Sequence, residues 1–127
     1  MLDPRLKSFA QATNYAALTT LFSNGDPQTH IMWVDANDDH LLLNTQKGRA
    51  KYRNLLADPR VAVTIFDDND PYRFVEARGR VVEFRHGAEA SSHINRLSWK
   101  YDAKDFDGPL DQRVMLVVEV HRVIAHL

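Results

Sequence analysis

Two long stretches of this chain alternate apolar and polar residues with a period of two, and they restrict it to folds built on a sheet. From Tyr72 to Phe84, Val75, Ala77, Gly79 and Val81 are small and apolar, while Glu76, Arg78 and Arg80 between them are charged. One face of that strand is expected to be buried against something close, and the other to meet water or a partner. From Gln112 to Leu127, Val114, Leu116, Val118, Val120 and Ile124 are read onto one face and His121 onto the other. Shorter β-like runs cover Tyr15 to Phe22, about Gln28 to Val34, His40 to Thr45, and Arg60 to Phe66. Six strands, each with one apolar face, cannot stay flat and cover themselves. A mainly β, six-stranded antiparallel barrel, closed or partly closed, is the economical solution. A length of 127 residues with 44% hydrophobic residues suits a single domain over 1–127.

The connections carry their own signals. Ser23-Asn24-Gly25-Asp26-Pro27 is a tight-turn sequence, because Asn-Gly supplies the positive φ that hairpins need. Asp35 to Asp39 is a second polar turn, so the first three strands read as an antiparallel meander. Asp3-Pro4 opens a short helix with Leu6, Phe9 and Ala10 on one side. Ala90, Ile94, Leu97 and Tyr101 recur at helical spacing within a helix over 87–101. Asp67 to Pro71 is an acidic loop.

The chemically distinctive segment is Asn44-Thr45-Gln46-Lys47-Gly48-Arg49-Ala50-Lys51-Tyr52-Arg53-Asn54-Leu55-Leu56-Ala57-Asp58-Pro59. It reads as a helix entered directly from a strand and stopped by Asp58-Pro59. At about 100° per residue, Lys51 falls roughly 40° and Asn54 roughly 20° from Lys47, while Tyr52, Leu55 and Leu56 cluster on the opposite flank, toward the sheet. Arg49 and Arg53 form a second cationic edge. Cations in a first helical turn oppose the helix dipole, at about 0.3–1 kcal/mol each when exposed. A bound anion reverses that sign, because backbone N–H groups and cationic side chains then converge on it. Two readings stay open on pattern alone: a solvated basic face, or a phosphate seat.

Composition removes other classes. Net charge is −1, and only Tyr52 interleaves with the cations, pointing inward, so a nucleic-acid surface is not expected. There is no cysteine, which excludes disulfides, thiolate metal sites and a cysteine nucleophile. The six histidines are not spaced as metal ligands, and no metal is expected. Neither a paired-carboxylate arrangement nor a Gly-x-Ser-x-Gly signature occurs. No apolar run is long enough to span a bilayer, and the N-terminus lacks a signal-peptide pattern, so a cytoplasmic location is expected. His30 is a candidate proton donor on the second strand, although a paired or solvated histidine is the commoner case. Trp33 and Trp99 read as core or interface aromatics.

The run Asn44-Thr-x-x-Gly48-Arg49-x-Lys51-x-Arg53-Asn54-Leu55-x-x-Asp58-Pro59-Arg60-Val61, followed by Tyr72 and Glu76-x-x-Gly79, resembles the pyridoxamine 5′-phosphate oxidase-like, flavin and deazaflavin oxidoreductase superfamily. Within it the chain is most similar to the small deazaflavin-dependent reductases of the B group. The resemblance covers nearly the whole chain. It implies a split β-barrel working as a homodimer, with a cofactor cleft at each end of the subunit interface. It implies that Lys51 contacts the cofactor phosphate with Arg49 as companion, Lys47 and Arg53 being further candidates. Ile31, Met32 and Trp33, with Asn44 and Thr45, would lie along the ring system, which makes a cleft wall the sharper alternative for Trp33, and Tyr72 would reach the cofactor across the interface. The superfamily divides between FMN and coenzyme F420, and the Gly-Arg-Ala-Lys-Tyr-Arg-Asn-Leu wording is more similar to the F420 members. The implied activity is hydride transfer from reduced F420 to a small electron-poor substrate. The alternatives are an FMN flavoprotein of the same fold or a non-catalytic flavin or tetrapyrrole binder. The C-terminus lacks the Arg- and His-containing motif of true pyridoxamine phosphate oxidases. No dedicated catalytic acid is identified.

Overall fold

The computed structural model describes residues 1–127. In chain order the elements are α1 (Pro4–Gln11), β1 (Tyr15–Leu21), β2 (Pro27–Met32), β3 (Asp35–Ala36), β4 (Leu41–Gln46), α2 (Ala50–Ala57), β5 (Arg60–Phe66), β6 (Phe74–Arg85), α3 (Gly87–Asp102) and β7 (Arg113–His126). The strands form one antiparallel sheet in the order β2-β1-β5-β6-β7-β4-β3, curled into a half-barrel. There are seven strands rather than the expected six. The extra one is the two-residue β3, formed where the Asp35–Asp39 turn doubles back onto β4.

The meander expectation fails at its third member. β2 pairs with β1, but β4 pairs with β7 and β3. Strands β2 and β4 therefore lie near opposite ends of the sheet order. The local turn signals were sound: Gly25 has φ 90°, and the Asp3 carboxylate caps α1 by accepting from Arg5 N at 2.8 Å. A turn fixes which strand comes next in sequence, and it does not fix which strand a distant edge chooses.

The inner face holds one continuous core, including Leu6, Leu18, Leu41, Leu43, Leu55, Val63, Ile65, Val75 and Leu116. The two long strands also carry bulges. Gly79 pairs with Val120 while Arg78 pairs with Arg122, so His121 is the extra residue on β7. The bulge reverses the inside–outside phase. Val123 and Ala125 pack on the core beyond it, and Ile124, expected on the inner face, pairs with Glu76 on the other side. Gly79 is the close approach that the sequence implied: a Cβ there would lie 1.9 Å from the Glu119 carbonyl oxygen. Along β7, Val114 to Val118 are buried on both faces, because α3 lays Ala90 against Met115 and Val117.

Candidate functional site

The edges of the curled sheet face one another across a groove. One half is lined by His30, Ile31 and Met32 from β2, by Asn44, Thr45 and Gln46 from β4, and by Arg49, Lys51 and Arg113, around a space of about 380 Å³. The other half, about 300 Å³, is lined by Tyr15, Ile31, Met32, Trp33 and Asn44 with Ile94 and Leu97 of α3. The halves share Ile31, Met32 and Asn44, so the groove is cationic at one end and apolar at the other. That is the shape and polarity of a site for an elongated molecule with an anionic end and a flat apolar end.

The cationic end is built by the departure from β4. The strand continues through Gln46, and the Lys47 N–H donates to Gln112 O at 3.0 Å. The chain then turns at Gly48, and Arg49 stands at the N-cap of α2. The helix is therefore shorter than the Asn44–Pro59 segment suggested. Lys47 and Arg49 lie before it, and an angular map started at Lys47 does not apply. Within α2 the buried residues are Lys51, Asn54 and Leu55, whereas Leu56, expected to face the sheet, is 58% exposed. Leu55 enters the core, Asn54 Nδ2 donates to Thr20 Oγ1 of β1 at 3.1 Å, and Tyr52 meets Phe84 edge-on. These three anchors fix the rotation of α2 and hold Lys51 at the groove, only 8% exposed.

No acid answers these cations. Arg49, Lys51 and Arg113 take part in no salt bridge, although ten ion pairs are formed elsewhere. The first turn of α2 contains no acidic residue, and its N-cap side chain makes no capping bond. Burial, and then the nearby Arg49 charge, pull the Lys51 ammonium below its ordinary value. The same two causes in the same order lower Arg113. Three cations that repel one another, two of them partly desolvated, are an arrangement that an anion relieves.

Other sequence candidates sit differently. Arg53 donates from Nη1 to Gly48 O at 2.9 Å and so braces the turn; it does not line the groove. Lys47 is exposed and outside it. Tyr72 is 80% exposed in the loop between β5 and β6, and its carbonyl contacts His126 Nδ1 at 2.8 Å. It belongs to neither half of this chain's own groove. His30 is exposed at the groove rim. Trp33 is the cleft wall: it stacks on Tyr101 at 5.2 Å and 4°, with Phe106 edge-on at 6.5 Å. The Tyr101 hydroxyl accepts from Val34 N and donates to Asn14 O, and Lys100 Nζ donates to Ala10 O and Val34 O, so the wall is pinned to the barrel. Trp99, by contrast, is 55% exposed and donates to Asp105.

Sequence reasoning missed two residues. Arg113 opens β7 opposite Gln46, donates from Nε to Pro109 O at 3.0 Å, and lays its guanidinium over Phe106 at 4.6 Å. His93 is 1% exposed, and its Nδ1 lies 3.0 Å from Asn44 Nδ2. Its place between Ala90 and Leu97 on the apolar stripe of the predicted helix was the available sign of burial.

The fold is thus a curled antiparallel half-barrel with a cationic pocket where a strand passes into a short helix. Residues 2–127 match the pyridoxamine 5′-phosphate oxidase family, and the chain belongs to it. No curated protein matches the chain. Among solved structures, an F420 reductase is similar over 97% of this chain and 98% of its own, with 29% identity and a TM-score of 0.84. A conserved hypothetical protein from Mycobacterium tuberculosis shares the fold at 22% identity and TM-score 0.77, over 97% of this chain and 82% of its own. The general stress protein 26 of Bacillus anthracis does so at 17% identity and TM-score 0.72, over 94% and 88%.

Proposed function

We propose that this protein is an oxidoreductase that binds coenzyme F420 in the groove between β2 and β4 and reduces a small electron-poor organic substrate. The observation that carries the reading is the cluster of buried Lys51, half-buried Arg113 and exposed Arg49, unpaired with any acid, around the head of α2. The 29% identical F420 reductase, matching 97% of the chain, favours F420 over FMN. Lys51 and Arg49 hold the phosphate and Arg113 closes the pocket from β7. Lys47 and Arg53 are secondary cations around the same turn. Ile31, Met32 and Trp33 form the apolar wall that orients a flat ring and keeps water from it, and Asn44 and Thr45 face that ring from β4. When bound in its reduced form, F420 supplies a hydride. The working unit in this reading is a homodimer in the cytoplasm, with Tyr72 reaching the groove of the partner subunit.

The test begins with the colour of the purified protein. A host that makes FMN but not F420 yields colourless protein that then takes up added F420 with micromolar or better affinity. Protein that emerges yellow with bound FMN supports the second reading, an FMN flavoprotein of the same fold, which the family membership itself favours. Turnover of reduced F420 with quinones, enones or tetrapyrroles separates a catalyst from a carrier. Wild-type protein that binds neither cofactor refutes both cofactor readings.

A further inference from the structure

Two polar atoms in the middle of the molecule are buried without a partner, Asn44 Oδ1 and His93 Nε2, and one hydrogen bond joins the residues that carry them. Asn44 is 7% exposed and lines both halves of the groove, while His93 lies behind it on α3 at 1% exposure. Such orphans are rare in folded proteins, because each costs about 1–3 kcal/mol of lost solvation.

The donor and acceptor roles follow from the chemistry. Asn44 Nδ2 lies 3.0 Å from the Ala90 carbonyl and 3.0 Å from His93 Nδ1. A carbonyl oxygen only accepts, so the amide nitrogen, and not Oδ1, must face Ala90. Its second hydrogen then points at Nδ1, which makes Nδ1 the acceptor and places the ring proton on Nε2. Both amide hydrogens are consumed. The carboxamide cannot turn over without breaking both bonds, and Oδ1 is left as a fixed acceptor with nothing in the chain to accept from.

We propose that His93 is a positioning residue that locks the Asn44 carboxamide, so that Asn44 Oδ1 reads a hydrogen-bond donor on the ring of the bound cofactor. The inference rests on the functional reading above. Flavin and deazaflavin rings share one donor suited to this acceptor, the imide N–H between their two ring carbonyls. An occupant with a methyl group or a lone pair in that place leaves Oδ1 unpaired and loses affinity. Specificity here would come from a buried acceptor that cannot rotate to suit a different ligand.

The experiment pairs the cofactor that binds, FMN or F420, with its derivative methylated at the imide nitrogen, and follows binding by fluorescence titration. Wild type is expected to bind the methylated ring about tenfold more weakly. In Asn44→Ala that discrimination falls to about twofold or less. In His93→Leu it falls likewise although Asn44 is intact, and His93→Asn, which can offer an amide oxygen where Nδ1 stands, restores most of it. A long-range proton–nitrogen NMR spectrum of the wild type should show His93 Nδ1 as the unprotonated nitrogen. Equal binding of both rings by wild type, full discrimination in His93→Leu, or a protonated Nδ1 overturns the proposal. The spectrum decides the point even if His93→Leu does not fold. Wild type that binds neither parent cofactor refutes the functional reading instead.

Discussion

Replacing Lys51 by methionine should move stability and ligand affinity in opposite directions, and the structure sets both magnitudes. Methionine keeps an unbranched apolar stem in a position that is 8% exposed, so packing around Leu55 and Asn54 is largely retained. The change removes a cation from the first turn of α2, where no acid and no capping side chain offsets it. That relief is about 0.3–1 kcal/mol from the helix dipole, with a further contribution from the desolvated ammonium. The apo-protein is expected to gain about 1 kcal/mol, or about 4 °C in Tm. The gain should shrink at alkaline pH. Lys51 has a lowered native value, so between that value and the ordinary one the unfolded chain holds more protons, and wild-type stability rises with pH there. Affinity for the phosphate-bearing cofactor moves the other way. One charge-assisted hydrogen bond is worth about 1.5–3 kcal/mol, so binding should weaken by about 10- to 150-fold. Urea unfolding of the apo-protein at several pH values gives the first quantity, and fluorescence titration gives the second. An affinity within about threefold of wild type, or an apo-protein destabilised by more than about 1 kcal/mol, would refute this account and return Lys51 to a structural role.

Arg113→Gln should weaken the same ligand by about tenfold and flatten the salt dependence of binding, measured from 50 to 500 mM chloride as about one cation fewer. Burial holds His93 at about 4 in the folded chain against 6.5 unfolded, ahead of smaller effects from Arg96 and Lys100. The unfolded chain therefore takes up the proton first, and stability should fall between about pH 6.5 and pH 4, by about 3 kcal/mol at most, with that slope absent from urea melts of His93→Gln. Gly79→Ala would drive a Cβ to 1.9 Å from Glu119 O, so it should cost about 3 kcal/mol in chemical unfolding or displace the β7 bulge. Asn54→Ala removes the bond to Thr20 and should cost about 1–2 kcal/mol while loosening α2, read as faster amide exchange in residues 50–57.

What the sequence made legible was local. Asp3-Pro4, Asn24-Gly25 and Asp58-Pro59 each act on the next few residues, and each lies where its chemistry predicts. The alternation in 72–84 reported the buried Val75, Ala77, Gly79 and Val81 correctly, but that in 112–127 could not show that α3 also buries Met115 and Val117, and it lost phase at the bulged His121, which no propensity marks as the extra residue in a ladder. The basic segment was legible as chemistry but not as geometry. The segment reads as one helix, whereas Gly48 divides its cations between a turn and a helix that starts at Ala50. Lys51 faces the groove because Leu55 and Asn54 are held by β1 and the core, and those are tertiary contacts.

The groove is the part least available to sequence inspection, and the reason is topological. Its walls, β2 and β4, are separated by a few residues in the chain yet do not pair. They meet because β4 leaves its predecessors to join β7, about seventy residues later, and the curl of the intervening strands brings the two edges together. That pairing places Arg113 opposite Gln46 and so delivers a third cation from the far end of the chain. The covering of β7 by α3 likewise brings His93 behind Asn44 across 49 residues of sequence. The contacts that bring Arg113 to the groove and His93 behind Asn44 thus depend on one non-local choice, the pairing of β4 with β7, whereas Lys51 is placed by the separate contacts of α2 with β1 and the core.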